Sequence, residues 1–135
     1  MHILLATDAD YVVNDVTAAL GGADVSFTIC SEGREVSRLV NAQSYDLVVL
    51  DLQIGSMGGM AAAMSLRLDE SAGKAPKVKV LMLLDRQADV HLAKRSAADG
   101  WLVKPLNPLA LKRAVARVLA DPVGETAEEE APVAG

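Results

Sequence analysis

Residues 45–59 read YDLVVLDLQIGSMGG, and this stretch decides the fold. An unbroken apolar run, 47–50, leads to Asp51 without helical spacing, so it predicts a strand that is buried on both faces. The following part holds three glycines between residues 53 and 59 and predicts a loop. The stretch therefore predicts a buried strand that delivers a carboxylate into a glycine-rich loop.

The same alternation of strand and helix extends outward in both directions. The other runs that predict strands are 3–6, 25–29, 78–84 and 101–103. Apolar residues at helical spacing follow the strands, as Met60, Met64 and Leu68 do after the glycine-rich loop. Asn107 and Pro108 supply an N-cap and a first helical residue for the last helix. The inward face of that helix is expected to comprise Leu111, Val115, Val118 and Leu119.

The five strand–helix pairs predict an α/β fold. Strands that are joined through helices run parallel with right-handed crossovers, and the helices then cover both faces of the sheet. Five pairs are too few for a closed eight-fold barrel, so we expect an open, doubly wound, five-stranded parallel sheet with strand order 2-1-3-4-5. Such sheets bind ligands at the carboxyl ends of their strands, where the strand order reverses.

Length and composition indicate one folded domain. The chain has 135 residues, of which 51% are apolar and 23% are charged, and this excludes a wholly disordered protein. Its single cysteine, Cys30, cannot form an internal disulfide and is expected to be a core filler. No signal segment is recognisable, and every apolar run is far shorter than the roughly 18 residues that span a bilayer. We therefore expect a cytoplasmic protein without a membrane segment.

The net charge of −5 comes from the C-terminus. Five of the eighteen acidic residues lie in 121–135, which contain no Lys or Arg, and this leaves thirteen acids against thirteen bases in 1–120. A neutral body gives no argument for direct nucleic-acid binding. We expect a domain over 1–120 and an acidic, disordered tail over 121–135.

Charged residues stand at four of the predicted strand ends. Asp8, Asp51 and Asp85 end strands one, three and four, and Lys104 follows strand five. If strands one and three are neighbours, Asp8 and Asp51 repel each other unless a proton or a cation compensates. Mg²⁺ suits this edge of the sheet because it prefers oxygen ligands and takes one or two carboxylates. Lys104 offers a compact positive charge for a phosphoryl group.

Three segments resemble the receiver domain of two-component response regulators. They are ILLATD at 3–8, YDLVVLDLQIGSMGG at 45–59 and DGWLVKP at 99–105. The resemblance covers about residues 2–120, and its three motifs occur in the family's order inside five strand–helix pairs. It implies a flavodoxin-like (βα)5 fold and a single-domain, atypical receiver.

The resemblance also assigns roles to individual residues. Asp51 matches the phosphoacceptor, which takes a phosphoryl group from a sensor histidine kinase or a phosphotransfer protein, and Lys104 matches the lysine that pairs with this group. Asp8, Asp51 and the backbone carbonyl of Gln53 match the Mg²⁺ ligands. Trp101 stands where the family has its switching aromatic. The family is a signalling module, so no enzyme activity is expected beyond weak self-catalysed phosphorylation and dephosphorylation.

Three residues depart from the family pattern. Thr7 replaces one acid of the first-strand pair, Leu84 replaces the hydroxyl residue that contacts the phosphoryl group, and Gly55 replaces a proline and loosens the acceptor loop. Asp10 could replace the missing acid through a water, but helix capping is the favoured role. Asp85 could point into the pocket, but a surface or capping role is favoured.

A basic surface around Trp101 is the expected partner face. Lys94 and Arg95 on the fourth helix, and Lys112 and Arg113 on the fifth, are expected to flank the indole, although a plain solvated surface is the alternative. An output protein, a second copy of the chain or its own acidic tail could cover this face. The favoured function is an atypical receiver that signals by protein–protein contact, and the alternative is a phosphorylation-independent pseudo-receiver.

Overall fold

The computed structural model describes residues 1–120 of the chain, so the predicted acidic tail, 121–135, lies outside the described residues. The strands are β1 His2–Ala6, β2 Ser26–Cys30, β3 Leu47–Asp51, β4 Val80–Leu84 and β5 Gly100–Val103. The helices are α1 Asp10–Leu20, α2 Glu35–Ala42, α3 Gly59–Ser71, α4 Val90–Arg95 and α5 Pro108–Ala120, with a 3-10 turn, Gln87–Asp89, before α4. The predicted five strand–helix pairs are confirmed.

The five strands form one parallel sheet in the order β2-β1-β3-β4-β5, as predicted. The register pairs Ala6 with Leu50 and Asp51 with Leu83, so the ends of β1, β3 and β4 lie level at one edge of the sheet. The strand order reverses between β1 and β3, and a crevice forms there because the connections leave to opposite faces. This topology places the ends of β1 and β3 beside each other.

Apolar side chains fill both faces of the sheet. Leu4, Leu50 and Met82 belong to the core that α2, α3 and α4 cover, whereas Leu5 and Leu83 belong to the core that α1 and α5 cover. Every residue of β3 and β4 is buried, which explains why these strands read as continuous apolar runs. The edge strand β2 is half covered, as predicted, but its burial does not follow the alternation of its sequence, because Ile29 is exposed.

The last helix begins as its sequence predicts, but one of its apolar residues is misplaced. The Oδ1 atom of Asn107 accepts hydrogen bonds from the backbone N–H groups of Leu109 and Ala110, and Pro108 is the first helical residue. Leu111 is buried, in contrast to Leu119, which is exposed at the end of the helix. The expectation that Leu119 faces inward is therefore wrong.

Two of the apolar residues whose spacing predicts helix α3 face solvent rather than the core. Met64 is 43% exposed and Leu68 is 70% exposed, so their spacing marks the outer side of the helix. The buried residues of α3 are Gly59, Ala62, Ala63 and Leu66. Small residues allow a helix backbone to approach a sheet closely, and the alanine-rich side of α3 therefore faces the core.

A buried ion network at the opposite edge of the sheet joins α3 to β4 and β5. The Arg67 guanidinium lies 2.8 Å from carboxylate oxygens of both Glu70 and Asp99 and also donates to the Val78 carbonyl. Asp99 in turn accepts a hydrogen bond from the Val80 N–H at 2.7 Å. The side chains of Arg67, Glu70 and Asp99 are 21%, 10% and 15% exposed, so solvent screens these pairs weakly.

Replacing Arg67 with Met is expected to lower the free energy of unfolding by about 3 kcal/mol, because two partly buried carboxylates lose their cation. Urea denaturation followed by circular dichroism measures this change. Arg34→Met is the matched control, since Arg34 pairs with Glu32 on the exposed surface, and it should change stability by less than about 0.5 kcal/mol. Equal effects of the two substitutions would contradict the role of the network.

Candidate functional site

Asp51 is a buried carboxylate at the carboxyl end of the central strand β3. Only 1% of the residue is exposed, and three hydrogen bonds hold its carboxylate. Oδ1 accepts from the Lys104 Nζ at 3.0 Å and from the Gln53 backbone N–H at 3.1 Å. Oδ2 accepts from the Thr7 hydroxyl at 2.7 Å. Charge-assisted hydrogen bonds of this kind compensate for the loss of water around a buried charge.

Lys104 lies between two carboxylates. Its Nζ is 3.0 Å from Asp51 Oδ1 and 2.8 Å from Asp85 Oδ1, and its side chain is 10% exposed. The peptide bond to Pro105 is cis. Burial lowers the pKa of Lys104, but the hydrogen bonds to Asp85 and then Asp51 outweigh burial and raise the pKa above its ordinary value. Lys104 is therefore an ammonium group that is already paired twice.

Asp85 is an exposed residue that pairs with Lys104, so the predicted capping role is wrong, whereas the predicted surface position is not. Its carboxylate forms an ion pair with Lys104, and the N-cap of the following 3-10 turn is Arg86, with no side-chain capping bond. The Asp85 side chain is 41% exposed, so its outer part reaches solvent. Its position after β4 put it near the pocket, but nothing local in the sequence indicated the direction of its side chain.

Asp8 lies at the mouth of the crevice and contacts the acceptor loop, residues 52–58. Its Oδ2 accepts a hydrogen bond from the Gly55 N–H at 3.0 Å, which a proline at position 55 could not donate. Thr7, the preceding residue, is buried, and its hydroxyl contacts Asp51. The residue that replaces the family's first acid is thus a hydrogen-bond donor to the central carboxylate.

The start of α1 differs from the prediction for Asp10. The N-cap is Ala9, without a side-chain capping bond, and Asp10 is an exposed residue of the first helical turn. The Ala9 N–H instead donates to the Thr7 hydroxyl at 3.2 Å. The capping role for Asp10 is therefore wrong, although an acid in the first turn still favours the helix dipole.

Hydrogen bonds hold the acceptor loop in place despite its glycines. Besides the bond from its N–H to Asp8, Gly55 accepts hydrogen bonds through its carbonyl from the N–H groups of Gly33 and Met57, at 3.0 Å and 2.9 Å. A Cβ atom on Gly33 would stand 1.8 Å from the Met57 carbonyl oxygen, so this close approach requires glycine. In the folded chain, Gly55 is a point of attachment of the acceptor loop.

The donors at this edge are oxygens, which Mg²⁺ prefers, and they are few in number. Residues 1–120 contain no group of three or more acidic, histidine or cysteine side chains that could hold a metal. The predicted donors are the Asp8 and Asp51 carboxylates and the backbone carbonyl of Gln53, and the structure places both carboxylates at this edge. Mg²⁺ commonly takes one or two carboxylates and keeps several waters, so these three donors can serve it.

The structure places the predicted partner face on α4, β5 and α5. Leu84 is fully buried at the end of β4, and its side chain carries no hydroxyl. Trp101 is half-buried against the α3–α4 core, with the Lys94 ammonium 5.8 Å from its ring centroid. The other basic residues of this face are exposed, namely Arg95 on α4 and Lys112 and Arg113 on α5.

Cys30 is a packing residue, as expected. It lies half-buried at the end of β2, and burial raises the pKa of its thiol. A thiol with a raised pKa is a poor nucleophile at neutral pH, so Cys30 takes no part in the site.

Comparison with known proteins identifies the family. The family model for the response regulator receiver domain matches residues 3–116. This chain belongs to that family. The receiver domain of two-component systems is a signalling module. The family resemblance of the sequence and the predicted fold class are both confirmed.

Curated relatives of the receiver fall into two sizes. The DNA-binding response regulator MtrA of Mycolicibacterium paratuberculosis is 31% identical over 121 residues, which are 88% of this chain and 50% of that protein. The regulatory protein VanRB of Enterococcus faecalis is 28% identical over 88% of this chain and 52% of its own length. The chain thus spans about half the length of these relatives. A response regulatory protein of Mycobacterium tuberculosis is 30% identical over 90% of this chain and 93% of its own length.

Solved structures share the fold. The chemotaxis protein CheY4 of Vibrio cholerae superposes with a TM-score of 0.72 at 25% identity, and the match covers 87% of this chain and 97% of CheY4. The receiver domain of the sensor histidine kinase PA1611 from Pseudomonas aeruginosa matches with a TM-score of 0.75 at 22% identity over 89% and 98% of the two chains. That structure is described with a magnesium ion in its active-site cleft. Within residues 1–120 of our receiver, no helix has the length and apolar character needed to cross a membrane.

Gly59 fixes the position of the receiver's central carboxylate. A Cβ atom at this residue would stand 2.6 Å from the Asp51 carbonyl oxygen and 2.7 Å from the Leu52 Cα. Gly59→Ala is therefore expected to destabilise the fold by about 1–3 kcal/mol, because the backbone of Asp51 and Leu52 must move to make room for the methyl group. Thermal denaturation measures the change. Gly58→Ala, with open space around its Cβ position, is the control, and a loss as large there would contradict the argument.

Proposed function

We propose that this receiver accepts a phosphoryl group on Asp51 from a sensor histidine kinase or a phosphotransfer protein, and that it then signals by protein–protein contact. The observation that carries the proposal is the contact of 3.0 Å between the buried Asp51 carboxylate and the Lys104 ammonium at the carboxyl end of β3. A carboxylate is a competent phosphoryl acceptor, and an adjacent ammonium compensates for the charge that arrives with the phosphoryl group.

The proposed reaction moves one phosphoryl group. An Asp51 carboxylate oxygen attacks phosphorus in line, a P–O bond forms, the P–N bond to the donor histidine breaks, and an acyl phosphate results. Lys104 is already ionised and in place, so its charge needs no reorganisation during transfer. Asp8, Asp51 and the Gln53 carbonyl would hold Mg²⁺, which supplies charge neutralisation on phosphoryl oxygens when bound. Because Asp51 is itself modified, the protein is a phosphoacceptor rather than a classical enzyme, with at most weak self-catalysed turnover.

The coupling of phosphorylation to output is proposed to be atypical. Leu84 is buried and apolar where a hydroxyl would contact the phosphoryl group. A modification that makes no differential contact with two conformations cannot shift the balance between them. We therefore assign the readout to the face around Trp101 and Lys94, where an output protein or a second copy of the chain would bind. A cytoplasmic location and the absence of direct nucleic-acid binding belong to the same proposal.

A phosphorylation-independent pseudo-receiver is the second candidate, and a specific observation favours it. Thr7 and Asp85 already supply partners to Asp51 and Lys104, so no group at this edge needs a phosphoryl oxygen to satisfy it. Such a closed network suits a constant interaction module. The retention of the Asp51 carboxylate in contact with Lys104 favours the first candidate.

Intact-mass spectrometry after incubation with Mg²⁺ and acetyl phosphate tests the proposed function. A single phosphoryl adduct is expected, and it should disappear with Asp51→Asn and when Mg²⁺ is removed by chelation. Asp46→Asn is the matched control, because Asp46 is an exposed acid that precedes the same strand and accepts a hydrogen bond from the His2 N–H. The absence of any adduct on folded protein would favour the pseudo-receiver.

A separate prediction concerns the metal. Thr7→Asp adds a carboxylate beside Asp51, and without Mg²⁺ it should destabilise the fold through like-charge repulsion. The same variant should bind Mg²⁺ about ten times more tightly, since affinity for a hard cation rises with ligand charge. Calorimetric titration measures the affinity, and Thr7→Asn, which replaces the hydroxyl with an uncharged amide oxygen, is the control. An unchanged affinity in Thr7→Asp would argue against a metal at this edge.

A further inference from the structure

We propose that Asp85 is a built-in anionic competitor of the phosphoryl group: its carboxylate pairs with Lys104 in the resting protein and competes with a phosphoryl group for that lysine. The proposal rests on the proposed function, since Lys104 matters here as the partner of a group carried by Asp51. It makes Asp85 a residue that limits the rate and extent of modification.

The contacts of Lys104 carry this inference. The distance from its Nζ to Asp85 Oδ1 is 2.8 Å, against 3.0 Å to Asp51 Oδ1, so the two carboxylates contact the ammonium at similar distances. Asp51 contacts Lys104 from the end of β3, and Asp85 contacts it from the end of β4. A phosphoryl group on Asp51 would bring further negative charge to the same ammonium, and Asp85 would then stand against it as a like charge.

The burial of the two carboxylates decides which one can move. Asp51 is buried and held by three hydrogen bonds. The Asp85 side chain is 41% exposed, and its carboxylate can exchange Lys104 for water at small cost. Asp85 is also tethered next to its partner, so it competes as an intramolecular anion at high effective concentration. We infer that it raises the donor concentration needed for modification without blocking modification outright.

Asp85→Asn keeps the shape of the side chain and removes its charge. With acetyl phosphate, an Asp51 oxygen forms the new P–O bond and acetate leaves with the electrons of the broken one. The initial rate of adduct formation, measured by intact mass, should rise about fivefold in Asp85→Asn, the size expected for loss of one partly exposed like charge. Asp10→Asn is the control, because Asp10 is an exposed acid at the same edge of the sheet, and its rate should stay within about twofold of the native rate.

A second measurement does not depend on chemistry at Asp51. In an Asp51→Asn background, inorganic phosphate is titrated without metal, and the change of the Lys104 and Gln53 amide shifts per unit of phosphate is recorded by NMR. The change of amide shift per unit of phosphate should be about fivefold larger when Asp85→Asn or Asp85→Ala is added. Two variants are used so that one poorly folded protein does not decide the result.

The two measurements separate the two proposals. A larger shift change per unit of phosphate supports the competitor role even if no variant forms an adduct, an outcome that would remove the proposed function alone. Equal shift changes with and without Asp85 overturn the competitor role, whatever the adduct shows. An adduct that forms at the same rate in native protein and Asp85→Asn also overturns it and leaves the phosphoacceptor function standing.

Discussion

The Lys104 ammonium is the charge on which the carboxyl edge of the sheet depends. It lies within 3.0 Å of Asp51 and 2.8 Å of Asp85, and it offsets two carboxylates that would otherwise repel each other at the end of a buried sheet. Thr7 completes the arrangement, because its hydroxyl donates to the remaining Asp51 oxygen. Neutral and charged donors together let a carboxylate ionise where water is scarce.

Close backbone approach makes this arrangement rigid. Gly59 lets the start of α3 pack against the carbonyl of Asp51, and Gly33 lets the β2–α2 loop contact the acceptor loop at Met57. Gly55 is hydrogen-bonded through both its N–H and its carbonyl. The glycines at this edge therefore allow separate segments to contact each other. The Asp51 carboxylate therefore lies at the end of a strand and beside a loop that are both held in place by contacts with neighbouring segments.

The departures from the family pattern change the charge and the polarity of the carboxyl edge of the sheet. A hydroxyl at Thr7 lowers the number of acids on the metal side, while Asp85 adds an acid on the lysine side. Leu84, the last residue of β4, is buried and apolar at the position where a hydroxyl would contact a phosphoryl group and draw the neighbouring loop inward. The resulting edge keeps a carboxylate and a lysine in contact and lacks the hydroxyl at the end of β4. The proposed function therefore separates the binding of a phosphoryl group from its readout.

Sequence alone predicts the five strand–helix pairs, the parallel sheet and the convergence of Asp51 and Lys104. Apolar periodicity is a local property, and the carboxyl ends of parallel strands meet at one edge of the sheet. Tertiary structure decided the rest. Strand register and helix rotation determine three features: the contact of Asp85 with Lys104, the exposure of Met64 and Leu68, and the Arg67 network. Those are set by packing between segments far apart in the chain, and for that reason no local pattern records them.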